Sequence, residues 1–193
     1  MRTEYSNWRK LDNAALAFPL VTGENDTRVF RFYCQLKEEV DSDILQQALD
    51  RTMEKYPLFQ AVLRKGLFWF YLEHSHIRAL VKPETEPPCS RLYIPDKKSL
   101  LFQVSYYKER INFEVFHALT DGTGAMHFLQ ELVQNYLILA HPKENFPEIR
   151  REKKTGRGNI EEDSFSQYYS SDIPKNREKK KAAVKLKGEK LVH

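Results

Sequence analysis

Cysteine is scarce in these 193 residues: only Cys34 and Cys89 occur. Cys34 falls inside a strand-like run and Cys89 beside Pro87 and Pro88, a spacing that indicates neither a disulfide framework nor a metal knuckle. Long apolar runs are missing too. None approaches the ~20 residues a membrane-spanning helix needs, and Met1 to Lys10 is too polar for a signal peptide. No internal repeat is visible. The chain also lacks a broad excess of one charge. Residues 1–149 hold 18 Lys and Arg against 20 Asp and Glu, whereas residues 150–193 hold 13 against 7, so the net charge of +4 belongs to the tail. The body therefore carries no electrostatic argument for nucleic acid. These absences point to a soluble, cytoplasmic protein with no membrane span.

Hydrophobic residues make up 41% of the chain and aromatics 12%, enough for a real core. Residues 1–27 read as irregular around a short apolar piece, Ala14 to Val21. From Val29 to Lys37, apolar Phe30, Phe32, Cys34 and Leu36 alternate with mostly polar neighbours, the period of a half-buried strand. Asp41 offers an N-cap to a helix reaching about Tyr56, with Ile44, Leu45, Ala48, Leu49 and Met53 as its stripe and Pro57 as its stop. Strands are expected at Leu58 to Lys65 and Leu67 to Glu73. The second holds Phe68, Trp69, Phe70 and Tyr71. No basic residues interleave these rings, so strand packing explains them better than a nucleic-acid stacking platform. Four prolines fall within residues 83–98, which reads as loop with a short strand near Leu92 to Ile94. Leu100 to Tyr107 and Ile111 to Phe116 form a β-hairpin around Lys108-Glu109-Arg110. A helix resumes at Thr123, with Met126, Leu129, Leu132, Val133, Tyr136 and Leu137 on one face and Pro142 closing it.

After Pro147 the composition turns to Lys, Arg, Glu, Ser and Gly. Such a segment buries too little apolar surface to offset its ordering entropy, so residues 150–193 are expected to be a charged linker or tail and residues 1–149 the folded unit. The run Lys179-Lys180-Lys181 reads as solvated linker, although basic clusters can also hold anionic phosphates.

The stretch Phe116-His117-Ala118-Leu119-Thr120-Asp121-Gly122 lies where the last strand ends and the last helix begins. Ile111, Phe113 and Val115 share one strand face, and parity places His117 on the same inward face. A strand end leading into a helix can hold a side chain rigidly beside a cavity. His127, one turn into the helix, reads as structural. His74-x-His76, with or without Cys89, could chelate a metal but lacks a further ligand at suitable spacing.

The pattern His-x-x-x-Asp-Gly resembles the motif of the CoA-dependent acyltransferases with the chloramphenicol acetyltransferase-like fold, a superfamily that includes alcohol acetyltransferases and condensation domains. Further pieces carry the resemblance toward the alcohol acetyltransferase-like branch over about residues 8–140: Trp8 to Ala15, Tyr56-Pro57-Leu58-Phe59, Gly66 to Glu73 and Phe113 to Gly122. The resemblance implies an α/β (α+β sandwich) fold, a mixed sheet with flanking helices. It implies no bound cofactor, with acyl-CoA as co-substrate and a small alcohol or amine as acceptor. His117 would be the general base, Asp121 would organise the motif loop, often through an arginine, and Gly122 would permit its tight backbone. An imidazole titrating near neutral pH suits such a base.

Three departures accompany the resemblance. Phe116 replaces the first of two adjacent histidines that many relatives carry. Gln60 stands where condensation domains place an arginine that pairs with the motif aspartate. The second half of the family's pseudo-dimer, with its D-F-G-W-like motif and part of the CoA site, has no counterpart, and Ala182 to Gly188 resembles the crossing into it. The expectation is therefore the base-bearing N-terminal half of an O-acyltransferase, completed by a C-terminal half in trans or by homo-oligomerisation. A non-catalytic truncated remnant or interaction module and a condensation-type, amide-forming domain fragment are the alternatives.

Overall fold

The computed structural model describes residues 8–11, 17–23, 26–67, 69–95, 97–144 and 146, with only the backbone of Trp8 to Lys10. The expected tail, residues 150–193, lies outside the described residues, as do Phe68 and Ala182 to Gly188. Among the described residues, seven strands and three helices follow one another as β1 (Trp8–Lys10), α1 (Phe18–Val21), β2 (Val29–Gln35), α2 (Ser42–Lys55), a 3₁₀ turn (Pro57–Phe59), β3 (Ala61–Lys65), β4 (Phe70–His74), β5 (Val81–Pro83), β6 (Phe102–Tyr107), β7 (Arg110–Phe116) and α3 (Gly122–Ala140). The strands form a three-stranded sheet, β1-β4-β3, and a four-stranded sheet, β2-β7-β6-β5. The larger sheet is mixed, because β5 runs parallel to β6 while the other pairs are antiparallel. The architecture is α+β, a mixed sheet with flanking helices. Among the described residues, no helix is long and apolar enough to cross a membrane.

Local chemistry sets most of these boundaries. The Asp41 carboxylate accepts from the backbone N–H groups of Asp43 and Ile44, starting α2, and Pro57 ends it by removing a backbone donor. The hairpin between β6 and β7 closes tighter than expected. Tyr107 pairs with Arg110, leaving only Lys108 and Glu109 in the connection, and Lys108 takes a left-handed φ of 50°. Three expectations need correction. Leu92 to Ile94 is not a strand. The strand in that region is β5, where Val81 to Pro83 pairs with Val104 to Tyr106. Met126 is exposed, and Phe128 is fully buried in its place on α3. Finally, the irregular opening segment supplies β1, whose partner is β4.

The two faces of the larger sheet are filled differently. On one face Phe113 stacks on Phe128 at 4.7 Å, Phe128 stacks on Phe59 at 4.5 Å, and Phe102 closes the cluster. Above it α2 and α3 are tied by Asn135 to Thr52 at 3.0 Å, by the Asp41 N–H to the Tyr136 hydroxyl at 2.9 Å, and by the Lys55–Glu131 ion pair. On the other face the fully buried Glu114 accepts from Arg31 Nε at 2.8 Å, from the Cys89 N–H at 2.6 Å and from Gln103. Arg31 also donates to Glu84 at 2.6 Å, and Arg110 reaches the same carboxylate at 2.6 Å. Burial opposes ionising Glu84, but hydrogen bonds from Arg31 and Arg110 outweigh it and hold its carboxyl below the usual carboxylate range.

Candidate active site

His117 lies in the turn between β7 and α3. Its N–H donates 2.9 Å to the carbonyl of Arg28, extending the β2–β7 ladder by one residue past Val29 and Phe116. Arg28 itself takes a left-handed φ of 52°, uncommon for a residue with a long side chain. The imidazole stacks on Phe18 of α1, with centroids 4.5 Å apart and planes 22° apart. Among the described residues its other aromatic neighbour is Phe30, at 4.9 Å and 55°. Phe30 is the register partner of Val115, so the ring lies on the aromatic, helix-covered side of the sheet. The residue is half-buried, and Nδ1 is buried with no hydrogen-bond partner among the described residues.

Phe116 points the other way. It is fully buried, packs against Tyr93 at 5.5 Å, and donates its N–H to Leu101. The position where the resembled motif has a first histidine is thus core in this chain.

Asp121 is the N-cap of α3. Its Oδ1 accepts from the Gly124 N–H at 2.8 Å, and its carbonyl receives the Ala125 N–H at 3.0 Å. Capping satisfies a donor that a helix start leaves open. Asp121 is exposed and forms no ion pair among the described residues. Gln60 does not reach it either, because its side chain donates to the carbonyl of Ile77. Gly122 has an ordinary, negative φ, and a Cβ there would meet only the edge of Phe32, at 4.0 Å. The tight position is Gly124, where a Cβ would fall 2.1 Å from Thr120 Oγ1. The motif thus places a histidine ring and a helix cap a few residues apart, with different duties: the ring faces its aromatic neighbours and the carboxylate fixes the backbone that follows.

The other singled-out residues lie elsewhere. His74 and His76 are exposed, with ring centroids 5.4 Å apart, and no group of three His, Cys, Asp or Glu among the described residues could hold a metal ion. Cys89 belongs to the ion network around Glu114. Burial, aided by the Glu114 carboxylate, pushes its thiol up, away from the thiolate a nucleophile needs. His127 is half-buried on α3.

Phe18, Phe30 and the Arg28 carbonyl are the neighbours that sequence reasoning missed. Strand alternation could have supplied Phe30, given the β2–β7 register. Nothing local to Phe18 signals that it meets His117.

No protein-family model and no curated protein match the chain. Solved structures do. The starter condensation domain of rhizomide synthetase RzmA superposes with a TM-score of 0.58 at 12% identity, covering 72% of this chain and 40% of that one. Polyketide synthase associated protein 5 from Mycobacterium tuberculosis gives 0.53 at 19% identity, covering 74% and 36%. Tallysomycin biosynthesis protein TlmII gives 0.53 at 14%, covering 67% and 38%. A mutant of the rhizomide condensation domain has also been solved in complex with C8-CoA. The chain therefore has the fold found in these proteins, and it spans about two fifths of the length of the first of them.

Proposed function

We propose that this chain is the base-bearing part of a CoA-dependent acyltransferase that passes an acyl group, acetyl in the simplest case, to a small alcohol. The observation that carries the reading is the setting of His117: a half-buried imidazole at a strand end, flanked by Phe18 and Phe30, with Nδ1 withdrawn from solvent. Nε2 is then the nitrogen left to meet a substrate. It takes the proton from the acceptor O–H as that oxygen attacks the thioester carbonyl. The tetrahedral intermediate collapses, the C–S bond breaks, and the imidazolium returns the proton to the departing CoA sulfur. A thioester is already activated, so a positioned base with an oxyanion donor suffices without a covalent enzyme intermediate. The oxyanion donor and the far wall of the site come from residues that complete the fold, supplied by a C-terminal half or by a second copy.

A second reading has one observation in its favour, the likeness to a starter condensation domain: an amine acceptor in place of the alcohol, giving an amide. Gln60 weakens it, standing where the resemblance calls for arginine. The test is CoA-thiol release from acetyl-CoA with a panel of alcohols and amines, using this chain alone and its whole reading frame. His117→Ala should lower kcat/KM by about 10²–10⁴. A loss below about tenfold removes the base role. Release with amines alone selects the amide-forming reading, and no release with any acceptor favours a non-catalytic interaction module.

A further inference from the structure

A chain of hydrogen bonds runs from the buried ion network to the backbone of His117. The Glu114 carboxylate accepts from the Cys89 N–H at 2.6 Å, and the Cys89 carbonyl accepts from the Thr27 hydroxyl at 2.7 Å. That hydroxyl oxygen accepts in turn from the Val29 N–H at 3.3 Å. The Val29 N–H shares its peptide unit with the Arg28 carbonyl, which receives the His117 N–H at 2.9 Å. A peptide unit is planar, so fixing its N–H also fixes the direction of its C=O. The chain of bonds thus leaves β7 at Glu114 and comes back to the polypeptide just past the end of that strand.

This route is kept against local strain. Among the described residues the non-glycine positions with a left-handed φ are Arg28, Cys89 and Lys108. Lys108 lies in the two-residue turn between β6 and β7. Arg28 and Cys89 lie in no hairpin turn, and Thr27 links the segments that hold them. A hydroxyl that accepts from the N–H two residues on bends the chain at the residue between, here Arg28. Arg28 also leaves its Nε buried with no hydrogen-bond partner, while its Nη2 pairs with the exposed Asp26 carboxylate at 2.9 Å. A left-handed φ and an unpaired buried donor each cost stability, and an exposed ion pair contributes too little to offset them. Such a conformation persists where its surroundings over-determine it. Here Asp26 accepts from the Arg28 N–H at 3.3 Å, Thr27 from the Val29 N–H, and the Arg28 carbonyl from His117.

We infer that Thr27 is a positioning residue for His117. Its hydroxyl, oriented by the Cys89 carbonyl, sets the Arg28–Val29 peptide unit and with it the point at which the His117 backbone is tied to β2. The inference rests on the acyl-transfer reading of His117 and adds to it how the base is placed. Moving that peptide unit moves the imidazole against Phe18 and Phe30, its two aromatic neighbours among the described residues. The left-handed turn at Arg28 serves this geometry, and the arginine side chain does not.

The test compares Thr27→Val, which keeps the side-chain shape and removes the hydroxyl, with Thr27→Ser, which keeps the hydroxyl. Proton NMR of the 193-residue chain reads the His117 ring, whose signals are identified by their loss in His117→Ala and are shifted upfield by the Phe18 face. Thr27→Val should move these signals toward those of an unstacked imidazole, and Thr27→Ser should leave them at parent values. In acyl transfer by the whole reading frame, Thr27→Val should lower kcat about tenfold or more with KM for acetyl-CoA unchanged, and Thr27→Ser should keep the parent kcat. Arg28→Gly accepts a left-handed φ freely and should keep both the ring signals and kcat. Arg28→Val, a β-branched residue that rarely takes that φ, should lose both. Parent-like ring signals in Thr27→Val, equal damage in Thr27→Val and Thr27→Ser, or a loss in Arg28→Gly as large as in Arg28→Val would overturn the inference. A parent that transfers no acyl group, or a kcat indifferent to a displaced ring, would sink the acyl-transfer reading alone, since the ring signals still decide whether Thr27 holds the imidazole.

Discussion

The two faces of the β2-β7-β6-β5 sheet solve one problem by different means. Every residue of β7 from Ile111 to Phe116 is buried, odd positions toward the helices and even positions toward the segment between β5 and β6. Toward the helices the filling is aromatic. Toward that segment it is an ion network centred on Glu114 and Glu84. Helices bring their own internal hydrogen bonds and need only an apolar surface to rest on. The segment around Glu84 to Cys89 has no such ladder, so its backbone groups need partners from outside. Glu114 supplies one, for the N–H of Cys89, a residue whose φ is 60°, while the Tyr106 carbonyl takes the Glu84 N–H and the Thr27 hydroxyl donates to the Cys89 carbonyl. Apolar packing holds regular structure here, and charged hydrogen bonding holds irregular structure.

Breaking each face in turn tests that contrast. Phe113→Ala should cost the most, about 3–5 kcal/mol in urea unfolding, because it removes a ring at the centre of a fully buried cluster and leaves a cavity. Glu114→Ala should cost about 3 kcal/mol, the lower end for breaking a buried pair, since Glu84 remains to hold Arg31. The double change Glu114→Leu with Arg31→Met should cost less than Glu114→Ala alone, because no charge is then stranded. If it costs more, the network does more than satisfy its own buried charges. Limited proteolysis should find the segment at residues 84–90 opened in Glu114→Ala and not in Phe113→Ala measured below its melting point. Asp121→Ala touches neither face. It should cost about 1 kcal/mol, the usual loss of an N-cap, and a much larger loss in thermal melts would mean the carboxylate holds more than α3.

Much of this arrangement was legible in the chain. Asp41 and Pro57 bracket α2 through local chemistry, and the alternation of Phe30, Phe32 and Cys34 marked β2. The aromatic face was less legible. The expected stripe of α3 took in Met126 and passed over Phe128, because several helical phases fit a segment this apolar and only the partner surface chooses among them. The polar face was not legible at all. Glu114 looks like any strand carboxylate until Arg31, 83 residues away, is placed beside it. β5 was invisible for a similar reason: three residues ending in proline carry no period, and β6 alone makes them a strand. At the motif, the role of Gly124 needed coordinates, since its constraint is the Thr120 hydroxyl beside it.

The stack of Phe18 on His117 has a consequence for how long the ring keeps its orientation. Phe30 belongs to a strand with seven register pairs to β7 and should open only when the sheet does. Phe18 belongs to a single turn, closed by Thr22 bonds to the Phe18 carbonyl, with Leu20 and Val21 turned to solvent. An isolated helical turn does not sustain itself in water. The imidazole is therefore held between one wall with the lifetime of the sheet and one with the lifetime of a local opening, and the shorter of the two sets how long His117 stays aimed.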